Sequence, residues 1–394
     1  MLLLSVAVVW LFIPNAAGQA TFGLSTPDEA IQLDPLVVPA TGSLWFLAAV
    51  LAFLGGTQFF RGFQSKATIF LGVALLIFVA ALLVWATAGK DFSLIGMLSS
   101  TIARCVPIAL GALAGILCER SGVINIAIEG MLLGGAFVGV VVGSLVGGIG
   151  GLLAATASGA VLAWFLAFFA IRYRVDQIIV GIVINIFVLG LTSFLTAQVL
   201  VSRPDLNDAP ILTAWQIPIL GDIPIIGPTF FNQTWFVYAT FILVALIAFG
   251  LFRTRWGLRT RSVGENPKAA DTVGINVNRT RYIAVTLGGL VGGFAGAWFT
   301  IGTVGRFDEN MTGGRGFIAL AAMIFARWNP IGALAAATVF GFSDSLQQKL
   351  AVLQVPIPSE FLAMAPYLVT IVVVAGLVGR ARAPAADGQP YVKE

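Results

Sequence analysis

Few side chains in this 394-residue sequence could carry chemistry, because it has no histidine and only two cysteines, Cys105 and Cys118. Without imidazole there is no Ser-His or Cys-His nucleophile pair, and two thiols in one apolar segment suit neither a zinc site nor a haem attachment. No G-x-x-x-x-G-K-[ST] run occurs, so the chain has no phosphate-cradling loop of its own. What remains is a handful of polar groups in apolar surroundings. Asn125 and Glu129 stand four apart, the spacing of one helix face, and Gly130, Gly134 and Gly135 follow, where neighbouring helices can approach closely. An acid within a membrane span costs roughly 2.5 to 3.5 kcal/mol on insertion scales, so Glu129 is expected to face protein or a wet cavity. Two roles stay open for it: an interhelical hydrogen bond, or lining of a solute path. Asn185 and Asp344 are weaker members of the same class. A third group runs from Asp308, Glu309, Asn310 and Thr312 into Gly313-Gly314-Arg315-Gly316. Glycines leading into a helix N-terminus give a donor-rich lining, although such a turn can equally just close an external loop.

The elements that must position these residues follow from composition. Apolar residues make up 58% of the chain and charged ones 10%, against the roughly 25% charged of a soluble domain. About 20 apolar residues cross roughly 30 Å of hydrocarbon, so the sequence predicts an all-α, polytopic transmembrane bundle of about 10 to 12 spans. A β-barrel would alternate, whereas Ile69 to Ala86 is apolar on every face. Spans are expected near 1–14, 43–60, 68–88, 94–117, 123–145, 150–170, 177–200, 234–252, 282–303, 316–327, 330–348 and 361–379. The first is read as a retained anchor helix, and the short 316–327 segment as a crossing. Alternate loops then hold sixteen of the 22 Lys and Arg residues and the opposite loops five, with Arg104 inside a span. The positive-inside rule puts both termini and the Arg253–Arg281 loop in the cytoplasm. The basic excess meets anionic phospholipid and calls for no nucleic acid partner. On the other side lie 15–42 and the proline-rich 201–233, too short for an independent solute-binding domain.

The Arg253–Arg281 loop contains GENPKAADTVGINVNRTR. Asn266 stands as N-cap, Pro267 at the first helical position and Gly274 at the end of a helix of about two turns. A helix that short is unstable in water alone, so it must pack on the membrane domain, on lipid or on another protein.

Three ordered blocks, ERSGVINIAIEGMLLGGAF (Glu119 to Phe137), VGENPKAADTVGINVNRTRYIA (Val263 to Ala284) and DENMTGGRGFIALAAMIFARWNPIGALAAATVFGFSDSLQ (Asp308 to Gln347), resemble the signature segments of ABC importer permeases. The similar group handles branched-chain amino acids, ribose and nucleosides, and the nucleoside or simple-sugar branch fits best. The resemblance covers about 94–380 as the permease domain; 1–93 carries no family motif, and 381–394 is a cytoplasmic tail. It implies that the short helix couples to a cytoplasmic ABC ATPase subunit through Gly264, Asn266, Pro267, Ala269, Ala270, Gly274 and Ile275. It further implies a second permease subunit and an extracytoplasmic solute-binding protein. ATP and Mg would bind the ATPase, with no cofactor on this chain, in a bacterial-type cytoplasmic membrane. Candidate path residues are Asn125, Glu129, Asn185, Asn310 and Arg315. The competing expectation is an ion-gradient-driven secondary transporter using Glu129 or Asp344, which leaves the capped helix without a role.

Overall fold

The computed structural model describes residues 1–26, 31–358, 361, 364 and 382–393. Its elements in chain order are α1 (Leu2–Ala7), β1 (Gln19–Gly23), β2 (Leu36–Pro39), α2 (Ala40–Phe60), α3 (Ala67–Ala86), β3 (Asp91–Ser93), α4 (Leu94–Glu119), α5 (Ile128–Val146), α6 (Gly148–Ala167), α7 (Gln177–Leu195), α8 (Trp235–Arg253), α9 (Arg255–Glu265), α10 (Pro267–Thr272), α11 (Val277–Phe299), α12 (Arg315–Phe325) and α13 (Pro330–Val352). Among the described residues, eight helices are long and apolar enough to cross a membrane: α2 to α8, with α6 and α7 continuing to Arg172 and Leu200, and α11 continuing to Val304. Leu2–Asn15 and α12 are apolar but shorter, and α13 is not among the eight. The span expected at 361–379 falls almost wholly outside the described residues.

The chain forms two compact units: residues 1–100, 216–232 and 343–377 in one, and 101–215, 233–342 and 378–394 in the other. In the first, β1 pairs antiparallel with β2 and parallel with β3, and Phe22 meets Phe92 edge-on at 6.2 Å. Strands this short give too few alternations to be read from sequence. The Ser5 hydroxyl donates to the Ala48 carbonyl at 2.9 Å, tying α1 to α2.

The second unit is built on α5, α6 and α11, whose backbones nearly touch. A Cβ on Gly159 would lie 2.3 Å from the Gly289 carbonyl oxygen, and one on Gly296 would lie 2.2 Å from that of Leu132. Association inside lipid gains nothing from hydrophobic transfer, so it depends on close packing that only the smallest residues permit.

Two segments depart from the expected spans. The span expected from residue 123 becomes helical only at Ile128, because Gly122 turns at φ +84° and 123–127 are not helical. Asn125 therefore precedes the helix and does not share a face with Glu129. The stretch expected at 316–327 forms the 11-residue α12, about 16 Å long, which is half of the hydrocarbon thickness. The Phe307 backbone is bonded to Asn207 near the C-terminal end of α11, while Trp328 lies with Arg120 beside the α11 N-terminus. The chain thus traverses the unit between 307 and 328 as a non-helical run followed by a half-length helix. Non-helical backbone at such depth is tolerated where protein buries it or where it lines a water-filled cavity, and Asp308, Glu309, Asn310 and Gly313 are exposed in this unit.

Candidate functional site

Helix α12 is held at both ends by one segment, 119–129. At its N-terminus the Glu129 carboxylate accepts hydrogen bonds from the Thr312 hydroxyl at 2.6 Å, the Gly314 N–H at 2.9 Å and the Gly316 N–H at 2.6 Å. The first N–H groups of a helix have no partner within it, and an acid from α5 supplies one here. Close approach is built in: a Cβ on Gly316 would lie 2.6 Å from the Glu129 backbone. At the other end Arg327 and Trp328 take φ of +53° and +55°, which ends the helix. The Arg120 guanidinium donates to the Trp328 carbonyl at 3.0 and 3.1 Å and to that of Arg327 at 3.2 Å. The Trp328 indole N–H donates to Glu119 at 2.6 Å. Acid at the start and base at the end both match the helix dipole.

The expected path residues meet here in part. Asn185 replaces missing helix bonds, donating to the Ile126 carbonyl at 2.8 Å while its side-chain oxygen accepts from the Gly130 N–H at 2.7 Å. Gln177 accepts from the Ile124 N–H at 2.7 Å. Asn125 is fully buried; its oxygen accepts from the Ala127 N–H at 3.1 Å and its amide meets the sulfurs of Cys118 and Met131. Asn125, Glu129 and Asn185 thus all hold backbone. Asn310 is exposed, and Arg315 is half-buried, with its guanidinium donating to the Thr312 carbonyl and lying 5.8 Å from the Phe299 ring. The polar face left to solvent is the turn around 308–315. Arg120, Gln177 and Trp328 were not singled out from sequence, because their partners lie far away along the chain.

The 255–276 loop is a series of capped helices. Thr254 accepts from the Gly257 N–H, Asn266 from the Ala269 N–H at 3.0 Å and Asn276 from the Arg279 N–H at 2.9 Å, and Gly274 takes φ +84°. Pro267 opens α10 as expected, although the helix is only six residues long. Ala270 is buried in a cluster with Val263 and Val277, against which Ile275 and Tyr391 pack. Lys268, Ala269, Thr272 and Gly274 face outward with Val273, an apolar side chain left 74% exposed. Sequence reasoning missed Val273, because it is the C-cap residue just past α10, where no helical period assigns a direction to the side chain. Gly264 touches the turn before α5, where its Cβ would lie 2.4 Å from the Arg120 carbonyl oxygen, and buried Arg281 donates to the Ser121 carbonyl at 3.2 Å. The loop is thus in contact with the segment that grips α12.

The segment 382–393 lies against the same loop. Ala386 N–H donates to the Gly264 carbonyl at 2.9 Å, Ala385 N–H to Glu265 at 3.2 Å, and Arg281 donates to the Gln389 carbonyl at 3.0 Å. Burial pushes the Asp387 carboxyl above the usual carboxylate range, opposed by its hydrogen bonds with Glu119 and the Gly388 N–H and by the Arg281 charge. The docked segment therefore binds a proton that the released one gives up. Docking is strongest in acid and weakens as pH rises from about 3.9, the ordinary value, toward neutrality. Protease cleavage within 382–393 should accelerate across that window in the native chain, and the rise should be smaller in Asp387→Asn.

The family described as branched-chain amino acid transport system / permease component matches residues 97–378. The guanosine ABC transporter permease protein NupQ of Bacillus subtilis (strain 168) is 42% identical over 75% of this chain and 95% of its own length. The nucleoside ABC transporter permease protein NupC of Lactococcus lactis is 40% identical over 73% and 93%. A putative glucose ABC transporter permease protein of Haloferax volcanii is 34% identical over 64% and 77%. No solved structure is a significant match.

Proposed function

Because the chain belongs to the family of permease components of branched-chain amino acid transport systems, we propose that it carries nucleosides or related sugar-containing solutes inward across a bacterial-type cytoplasmic membrane. It is a multi-pass membrane subunit of an ABC transporter. The observation that carries the reading is the capped α10 with Val273 exposed, joined through Gly264 and Arg281 to the turn that grips α12. One exposed apolar side chain is ordinary on a protein surface, so what supports docking here is its place on a capped element joined to the segment that grips α12.

In this reading an ABC ATPase subunit binds ATP and Mg and seats the outward face of α10. This chain holds no cofactor. A second permease subunit completes the path, and an extracytoplasmic solute-binding protein delivers solute at the opposite end. Both termini and the 253–281 loop are cytoplasmic, supported by the basic-residue asymmetry and by the bonds of 385–389 to Gly264, Glu265 and Arg281, which put loop and tail on one side. ATPase closure pushes α10, the 119–129 segment follows, and α12 shifts with the polar turn around Asn310 and Arg315 toward the solute path.

Membrane vesicles holding the chain with its ATPase and second permease should take up labelled nucleoside only with ATP and binding protein. Lys268→Cys and Ser202→Cys should label from opposite faces. Uptake driven by a proton or sodium gradient without ATP would overturn the proposal.

A further inference from the structure

The strongest unassigned feature is the terminal segment. The residues from Pro384 to Lys393 bond the backbone of α9 at Gly264 and the side chain of Glu265, and accept from Arg281 on α11. Asp387 faces Glu119 at the end of α4, and Tyr391 closes the apolar cluster beneath Ala270. Lys393 lies 4.0 Å from Asp271 of α10. Gly388 turns at φ +75°, and a Cβ there would lie 2.7 Å from the Ile124 side chain, so the turn packs closely on Ile124 and only glycine fits there. One short segment therefore touches α4, α9, α10, α11 and the run leading into α5. A six-residue helix with two capped ends has little rigidity of its own, and backing from Tyr391 supplies what its length cannot.

We propose that residues 384–393 form a strut of the coupling device: they hold α10 rigidly to the ends of α4 and α11, so that movement imposed on α10 reaches the 119–129 segment instead of being absorbed by the loop. The strut is a positioning element and stays docked through the cycle. This inference rests on the reading that α10 seats the ATPase.

The test uses the assembled transporter and compares the full chain with one ending at residue 383. ATPase co-purification and ATP hydrolysis should persist, because the outward face of α10 is untouched, while nucleoside taken up per ATP hydrolysed falls about tenfold. Should the shortened chain fail to reach the membrane, Ala386→Pro, which removes the donor to Gly264, and Tyr391→Ala should give the same loss of ratio. Joining Asp271→Cys to Lys393→Cys with a short bis-thiol reagent should leave the ratio intact, since Cys105 and Cys118 are buried and do not compete. An unchanged ratio in all shortened or substituted chains would overturn the strut. So would loss of uptake on cross-linking, which would make the segment one that must release. Loss of ATPase binding on shortening would also overturn it, making the segment part of the dock. Failure of the underlying reading shows separately: Val273→Asp would then leave ATPase binding unchanged whatever the tail does.

Discussion

Glu129→Gln is expected to cripple transport in a protein that inserts normally and still binds its ATPase. Size and shape are preserved, but chemistry is not. Both carboxylate oxygens accept, one from Thr312 and Gly314 and the other from Gly316. An amide has one accepting oxygen, so its NH2 must confront either the Gly316 N–H or the Thr312 and Gly314 donors. Losing a hydrogen bond to a charged group costs about 1.5 to 3 kcal/mol, and the buried donor left unpaired adds about 1 to 3. Helix α12 would then lose its fixed seat on α5. Uptake should fall by about 70-fold or more, since the two costs together come to at least about 2.5 kcal/mol. Thr312→Val, which removes one neutral donor with its shape kept, should cost about 1 kcal/mol and be milder. Uptake rates and ATPase co-purification for both variants check this; normal uptake by Glu129→Gln would mean the cap is dispensable. Glu129 as an ion-coupling group suits the geometry poorly, because its oxygens are taken up by backbone and hydroxyl donors.

Val273→Asp should release the ATPase while leaving the permease intact. At 74% exposure the side chain contributes little to folding, and surface changes of this kind usually stay within about 0.5 kcal/mol. Seated in an apolar groove, an unpaired carboxylate would cost about 2 to 5 kcal/mol, which lowers ATPase affinity by about 30-fold to several thousandfold. Titrating the ATPase onto detergent-solubilised permease reads this directly, with uptake as a second measure. Ala270→Asp is the instructive contrast. That residue is buried against Val263, Val277 and Tyr391, so a charge there disrupts the loop from within and undocks the terminal segment. Equal ATPase affinity for Val273→Asp and the native chain would remove α10 from the docking surface.

What the sequence by itself determined was local or summed. Composition and window length specified a helical membrane bundle, since about 20 apolar residues at 1.5 Å each cross the hydrocarbon and runs apolar on every face exclude the barrel alternative. Asn266, Pro267 and Gly274 marked α10 because capping acts within three or four residues of the chain. The absence of histidine removed whole classes of catalysis. Only the tertiary structure decided which polar groups meet. Glu129 and Thr312 are 183 residues apart, and Arg120 and Trp328 are 208. No spacing rule joins them, because their encounter depends on how closely the glycine faces of α5, α6 and α11 let the backbones approach. The same is true of Asn125, whose helical spacing to Glu129 was overruled by the turn at Gly122 and by bonds that Gln177 and Asn185 bring from α7. Side-chain acceptors and a donor from a neighbouring helix satisfied that backbone in place of helix bonds, and periodicity in one segment cannot register an offer made by another.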